Sequence, residues 1–128
     1  MAKFKLKVMV VDDEVEARQT LAQILTEEGY DVIQASTGQE VLARAKSEWP
    51  ALIILDIVLP DIPGTEVFEK LRADPITKVI PVLMVTAKPS IVRQQIPNFS
   101  EKLDRYLEKP GRIDNLIRTV HEMLSGKK

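Results

Sequence analysis

Apolar residues in this chain come in short unbroken runs rather than in strict alternation. VMVV, ALIIL and VIPVLMV carry Val, Ile, Leu or Met at almost every position, as strands covered on both faces do. Residues 6–11, 52–55 and 79–85 are therefore expected as strands. Residues 31–35 form a fourth, and 105–107 a short fifth that is polar at its start. Helical stripes fill the intervals. Ala17, Leu21, Ile24 and Leu25 make one, with Gly29 as its stop. Thr37 to Glu40 fits a capping box ahead of Val41, Leu42 and Ala45. Val67, Phe68 and Leu71 give a short helix after Pro63-Gly64, and Ile113, Leu116, Ile117, Val120 and Leu124 give the clearest stripe. Between Pro89 and Asp104 the pattern is poor, and Pro97 interrupts whatever helix begins at 90–96.

Five alternations of strand and helix predict an α/β domain with a parallel sheet covered on both sides. Right-handed crossovers favour a doubly wound sheet of order 2-1-3-4-5. Binding sites in such sheets form at the carboxyl ends of the strands, where the order reverses between strands 1 and 3. The location of a site is thus expected before any motif is considered.

Composition narrows the choices. The 128 residues, 45% hydrophobic, fit one compact domain, expected here to have a core over about 5–124 and a polar tail at 125–128. With no cysteine, disulfides and thiolate chemistry are excluded. Eighteen basic and 19 acidic residues give a net charge of −1, which is no electrostatic footprint for direct nucleic-acid binding. The apolar runs fall far short of the ~18 residues that membrane insertion needs. A cytoplasmic protein is the expectation.

The chemistry lies at the strand ends. Residues 8–16, VMVVDDEVE, drive an apolar strand straight into Asp12, Asp13 and Glu14. Such a cluster can simply begin a helix, with Asp13 as its cap. The other strands send matching groups to the same rim, however. Strand 3 runs into Asp56, strand 4 into Thr86, and strand 5 into Lys109-Pro110. Strands 1 and 3 flank the switch point, so Asp12, Asp13 and Asp56 should converge. Three carboxylates in one cleft need a cation, and an all-oxygen set with room for water suits Mg2+ better than zinc. Magnesium prepares a site for phosphate, a carboxylate can attack it to give an acyl phosphate, and Lys109 and Thr86 would take the remaining phosphoryl oxygens.

With VVDDE, LDIVLPDIPG, PVLMVTA and YLEKP in this order, the chain resembles the receiver domain of two-component response regulators, a flavodoxin-like (βα)5 fold. The resemblance covers residues 5 to about 124. It implies that Asp56 is the phosphoacceptor, receiving its phosphoryl group from the phosphohistidine of a histidine kinase or histidine phosphotransfer protein. It also implies that Asp12, Asp13, Asp56 and the Val58 backbone carbonyl hold Mg2+, that Lys109 contacts the phosphoryl group, and that the Lys109-Pro110 bond is often cis, giving Pro110 a structural role. Thr86 and Tyr106 match the family's switch pair, in which hydroxyl and ring move together and change a surface read by a downstream protein target. That surface is expected on the last strand and the helices beside it.

Some positions depart from the family's pattern. Small residues usually precede the switch aromatic, whereas this chain has Lys102-Leu103-Asp104-Arg105. Leu59, Ile62 and Pro63 replace the more usual Met, Met and Asp, while Pro60 and Gly64 keep the turn chemistry. Val58 and Lys88 stand where the family tunes phosphate lifetime, and the apolar Val58 is expected to hinder an attacking water. His121 is expected as a rim histidine with no ligand nearby, and Trp49 as packing at a helix end. An aspartyl-phosphate hydrolase usually has a second Asp two residues after the nucleophile, where this chain has Val58. A nucleotide or flavin binder would need a phosphate-cradling glycine motif, and none occurs. The main alternative is a receiver-like interaction module that works without phosphorylation. Self-catalysed phosphoryl transfer and hydrolysis are expected, rather than metabolic catalysis. One domain with no output module among these 128 residues is expected either for a stand-alone regulator or for a receiver cut from a longer protein.

Overall fold

The computed structural model describes residues 5–87, 99–100, 103–109 and 111–125. Along them run β1 (Lys7–Val11), α1 (Val15–Glu27), β2 (Asp31–Ala35), α2 (Gly38–Glu48), β3 (Leu52–Asp56), α3 (Gly64–Ala73), β4 (Val82–Thr86), β5 (Arg105–Glu108) and α4 (Ile113–Ser125). Every strand pair is parallel and the order is β2-β1-β3-β4-β5. The expected doubly wound sheet is therefore what the chain forms.

Two half-cores explain why the strands do not alternate in polarity. Met9, Val11, Ile53, Leu55, Val82 and Met84 point to one face, where α2 and α3 bring Val41, Ala45, Val67, Phe68 and Leu71. Val8, Val10, Leu52, Ile54 and Leu83 point to the other, against Leu25 of α1 and Val120 of α4. Side chains alternate between faces along a strand, and since both faces are covered, the interior positions of β1, β3 and β4 are apolar. Phe68 and Leu71 are almost wholly enclosed, each contributing about 1.5–3 kcal/mol of burial.

Helix ends follow local chemistry. Gly29, at φ 101, lets the Tyr30 N–H turn back to the Leu25 carbonyl after α1. Thr37 caps α2 by accepting from the Glu40 N–H at 3.1 Å. The reciprocal bond of the expected capping box is displaced by one residue, because Glu40 Oε1 accepts from the Ser36 N–H at 2.9 Å. Trp49 ends α2 in the left-handed region, φ 47, and its indole N–H donates to the Ile76 carbonyl at 2.9 Å.

Some expectations need correction or fall outside the described residues. β4 starts at Val82, not at residue 79. Asp74 organises a turn ahead of it, accepting from the Ile76 N–H through Oδ1 and from the Thr77 and Lys78 N–H groups through its carbonyl. This leaves Val79 exposed. Ile113, assigned to the buried stripe of the last helix, is 48% exposed because it opens the helix at the sheet's carboxyl rim. The expected helix at 90–96 and the role of Pro110 lie outside the described residues.

Candidate phosphoacceptor and cation site

β1 and β3 are neighbours, and their register sets Val11 beside Leu55. The residues that follow emerge together at the carboxyl rim. One carboxylate oxygen from each of Asp12, Asp13 and Asp56 lies within 4.8 Å of the others. The three side chains are not equivalent. Asp12 Oδ1 accepts from the Glu14 N–H at 2.9 Å, making the tight turn that starts α1. Its backbone is tied to β2 through Asp12 N–H to the Ala35 carbonyl at 3.2 Å. Arg18 donates to its carbonyl at 2.8 Å. Glu14 is the N-cap residue of α1, so Asp13 does not cap the helix, and its side chain projects into solvent at the site.

Asp56 closes β3 and is 8% exposed. Its Oδ1 accepts from the Val58 N–H at 3.0 Å and its Oδ2 from Lys109 Nζ at 3.0 Å, which fixes the carboxylate plane. Lys109 Nζ also lies 3.4 Å from Asp12 Oδ2. Burial works against the lysine's charge, but the hydrogen bond and charge of Asp56, with Asp12, outweigh it and raise its pKa. The lysine is delivered by the end of β5, where its own N–H donates to the Thr86 carbonyl at 2.7 Å. Thr86, buried at the end of β4, stands one strand over from Asp56. Tyr106 is half-buried against the α2/α3 half-core, its ring 5.9 Å from that of Phe99.

Oxygen donors at this spacing, partly neutralised by one ammonium, fit a small hard divalent cation with water completing its shell. A cavity of about 470 Å³ opens beside them, walled by Asp12, Asp56 and Lys109 and floored by Ala17, Ile54 and Leu116. A roomier hollow of about 650 Å³ lies between α4 and Tyr30. It is shallow and apolar, and its main polar groups are already engaged with one another. His121 Nε2 meets Glu28 at 3.0 Å and His121 Nδ1 meets the Tyr30 hydroxyl. The acidic rim is therefore the site.

A sequence model of the response regulator receiver domain matches residues 8–121. The chain belongs to that family. Receiver domains of this kind serve two-component signalling. The chain is 40% identical over 104 residues to the alkaline phosphatase synthesis transcriptional regulatory protein PhoP of Bacillus subtilis, covering 81% of this chain and 42% of that protein. It is 36% identical over 118 residues to the DNA-binding dual master transcriptional regulator RpaA of Synechocystis, covering 92% and 48%. The receiver spans about half the length of the curated relatives it matches. Among solved structures, the chemotaxis response regulator CheY4 of Vibrio cholerae superposes with a TM-score of 0.83 at 30% identity, over 94% of this chain and 100% of that one. The response regulator TrrA of Thermotoga maritima, in complex with Mg(2+)-BeF, gives 0.81 at 31% identity, over 94% and 100%. No described helix of this receiver is long and apolar enough to cross a membrane.

The structure brings Asp12, Asp13, Asp56 and Lys109 together as expected from their places after the strands. Other residues that shape the site carry little signal in the sequence. Asp61, inside LPDIPG, accepts from the Gly38 and Gln39 N–H groups at 2.8 and 2.9 Å and holds the loop after Asp56 on the start of α2. Its place in a turn-forming segment gave only a weak signal. Arg18 carried none.

Proposed function

We propose that Asp56 accepts a phosphoryl group from a phosphohistidine on a partner protein, and that the resulting charge changes the surface around Tyr106 for a downstream target. A carboxylate oxygen of Asp56 attacks phosphorus, the P–N bond breaks, and the departing imidazole takes up a proton. Asp12, Asp13, Asp56 and the Val58 carbonyl would hold Mg2+, which when bound cancels negative charge and coordinates a phosphoryl oxygen. Lys109, already spanning Asp12 and Asp56, has only to stay in place to take another phosphoryl oxygen. Thr86 supplies a hydroxyl from the adjacent strand, and its movement toward the phosphate frees space for the Tyr106 ring.

The convergence of three carboxylates and one ammonium on a single rim carries this reading. The exposed Val15, Val58 and Ile113 at the same edge suit docking of a histidine-bearing protein. A cytoplasmic location follows from the same reading, since the phosphodonor is a cytoplasmic kinase or phosphotransfer protein. Incubation with acetyl phosphate and Mg2+, followed by peptide mass spectrometry, tests it. A phosphoryl adduct on Asp56 that is lost in Asp56→Asn is expected. An adduct that persists in Asp56→Asn overturns the assignment, and no adduct from any donor favours a phosphorylation-independent interaction module.

A further inference from the structure

Asp104 lies within Lys102-Leu103-Asp104-Arg105, where the chain departs from the family pattern, and it is buried. Its side chain is 0% exposed and is paired with Arg72, 6% exposed, near the end of α3. Asp104 Oδ1 also accepts from the Val82 N–H at 3.1 Å, and Oδ2 from the Ser100 N–H at 3.2 Å. Arg72 reaches it through Nη2 alone. Among the described residues Nε and Nη1 are buried without a partner, and the guanidinium lies over the Phe68 ring at 4.8 Å. A buried pair with orphaned donors is a poor source of stability, since desolvation offsets much of its attraction. Its value must lie in what it fixes.

Backbone geometry shows what that is. The Thr86 carbonyl accepts from Lys109, so even-numbered residues of β4 turn their backbone groups toward β5. The Val82 N–H lies on that side, and Asp104 meets it one residue before β5 begins. The carboxylate thus takes the place of a strand partner and stops β5 with Arg105 opposite Leu83. β5 is an edge strand of four residues, RYLE. So short a strand has little of its own to set register, and a slip of one residue would exchange its two faces. In the observed register Tyr106 packs on the α2/α3 half-core and Leu107 on the other. Phe68, Phe99 and Tyr106 follow one another with ring centroids 6.1 and 5.9 Å apart, leading from Arg72 to the tyrosine.

We propose that Asp104, held by Arg72, is the register pin of β5 and thereby the positioning residue for Tyr106, coupling the end of α3 to the aromatic that reports phosphorylation. The pin itself stands on geometry; its regulatory consequence rests on the reading of Tyr106 given above. The chain has two tyrosines, so 3-fluorotyrosine incorporated in a Tyr30→Phe background places fluorine on Tyr106 alone. The parent should give one fluorine resonance that moves on addition of Mg2+ and beryllofluoride. In Asp104→Ala the resonance should broaden or split and lose more than about half of that displacement, while amide exchange in β1 and β3 stays parental. Asp104→Asn, which keeps the shape and an acceptor, should restore part of both. Should Asp104→Ala fail to fold, Arg72→Met carries the same test, because it keeps bulk over Phe68. A single parental resonance with full displacement in the variants overturns the pin. A parent that does not respond to beryllofluoride, with variants that still split the resonance, leaves the pin standing and removes the phosphorylation reading instead.

Discussion

Asp61 closes on Gly38 across the gap between the loop after Asp56 and α2, its Oδ1 accepting from the glycine N–H at 2.8 Å and its Oδ2 from Gln39 at 2.9 Å. One side chain thus satisfies two of the helix's orphaned donors and fastens the loop that leaves Asp56. The clamp should be acid-labile. The Gly38 and Gln39 N–H groups hold the Asp61 carboxyl below the usual range. Its folded-state pKa therefore lies under the unfolded one, so its stabilisation is full above the unfolded pKa and fades as pH falls through the folded one. In urea unfolding across the acid range, Asp61→Asn should be less stable than the parent near neutrality and should lose less on acidification below about pH 4. Parallel stability–pH curves for the two proteins would remove the clamp.

Gly64 and Gly38 predict a contrast. A Cβ on Gly64 would lie 2.5 Å from the Asp56 carbonyl and 2.6 Å from Ile57 Cα, both backbone atoms that cannot move aside. A Cβ on Gly38 would meet the Ile62 and Val67 side chains, of which Ile62 can rotate away. Gly64→Ala should therefore cost about 1–3 kcal/mol and slow phosphorylation of Asp56, whereas Gly38→Ala should cost less and leave the rate nearer the parent's. Equal costs in denaturant unfolding would contradict the structure.

Lys109 and a cation answer the same negative charge. Lys109→Met removes the ammonium that lies 3.0 Å from Asp56 and 3.4 Å from Asp12. It should bind Mg2+ roughly threefold to tenfold more tightly, since the pair is partly exposed and screened, while accepting phosphate more slowly. Asp12→Ala should weaken Mg2+ binding by about tenfold or more. Calorimetric titration separates the two. Unchanged affinity in Asp12→Ala would return that residue to its bond with the Glu14 N–H.

Val58 is 73% exposed at the mouth of the site. An apolar side chain there gives an incoming water nothing to bind, so Val58→Asn should shorten the life of the phosphorylated state. Decay of the Asp56 adduct after removal of the donor reads this directly. A decay rate equal to or slower than the parent's would count against it.

The sheet order and the acidic rim were legible because the chemical residues stand at the ends of strands. Asp56 after LIIL and Lys109 after RYLE are placed by their strands, whatever the rest of the chain does. Features that depend on distant partners were not. Asp104 reads as a surface charge until Arg72, 32 positions away, is folded against it. His121 looked like a rim residue without partners, but the Tyr30 hydroxyl and Glu28 reach it from 91 and 93 positions away. Because the Glu28 carboxylate only accepts, the Nε2 N–H donates to it, and the Tyr30 hydroxyl lies against Nδ1. Burial, with the Glu28 charge, raises the tyrosine's pKa. The start of β4 was misplaced because Val79 and Ile80 match the strand in polarity, while the turn that excludes them is written in Asp74.

Trp49 sits where α2 gives way to β3, 57% exposed, while Asp56 stands at the far end of that strand, roughly 20 Å along the chain. As the chain's one tryptophan, it is a native optical probe placed as far from the chemistry as β3 permits. Its emission will follow loss of the α2–β3 junction and stay nearly silent to events at the acidic rim. Fluorescence melts therefore report unfolding at this junction, and a shift in the melt on filling the cleft reads binding to the folded state through stability rather than through contact with the indole.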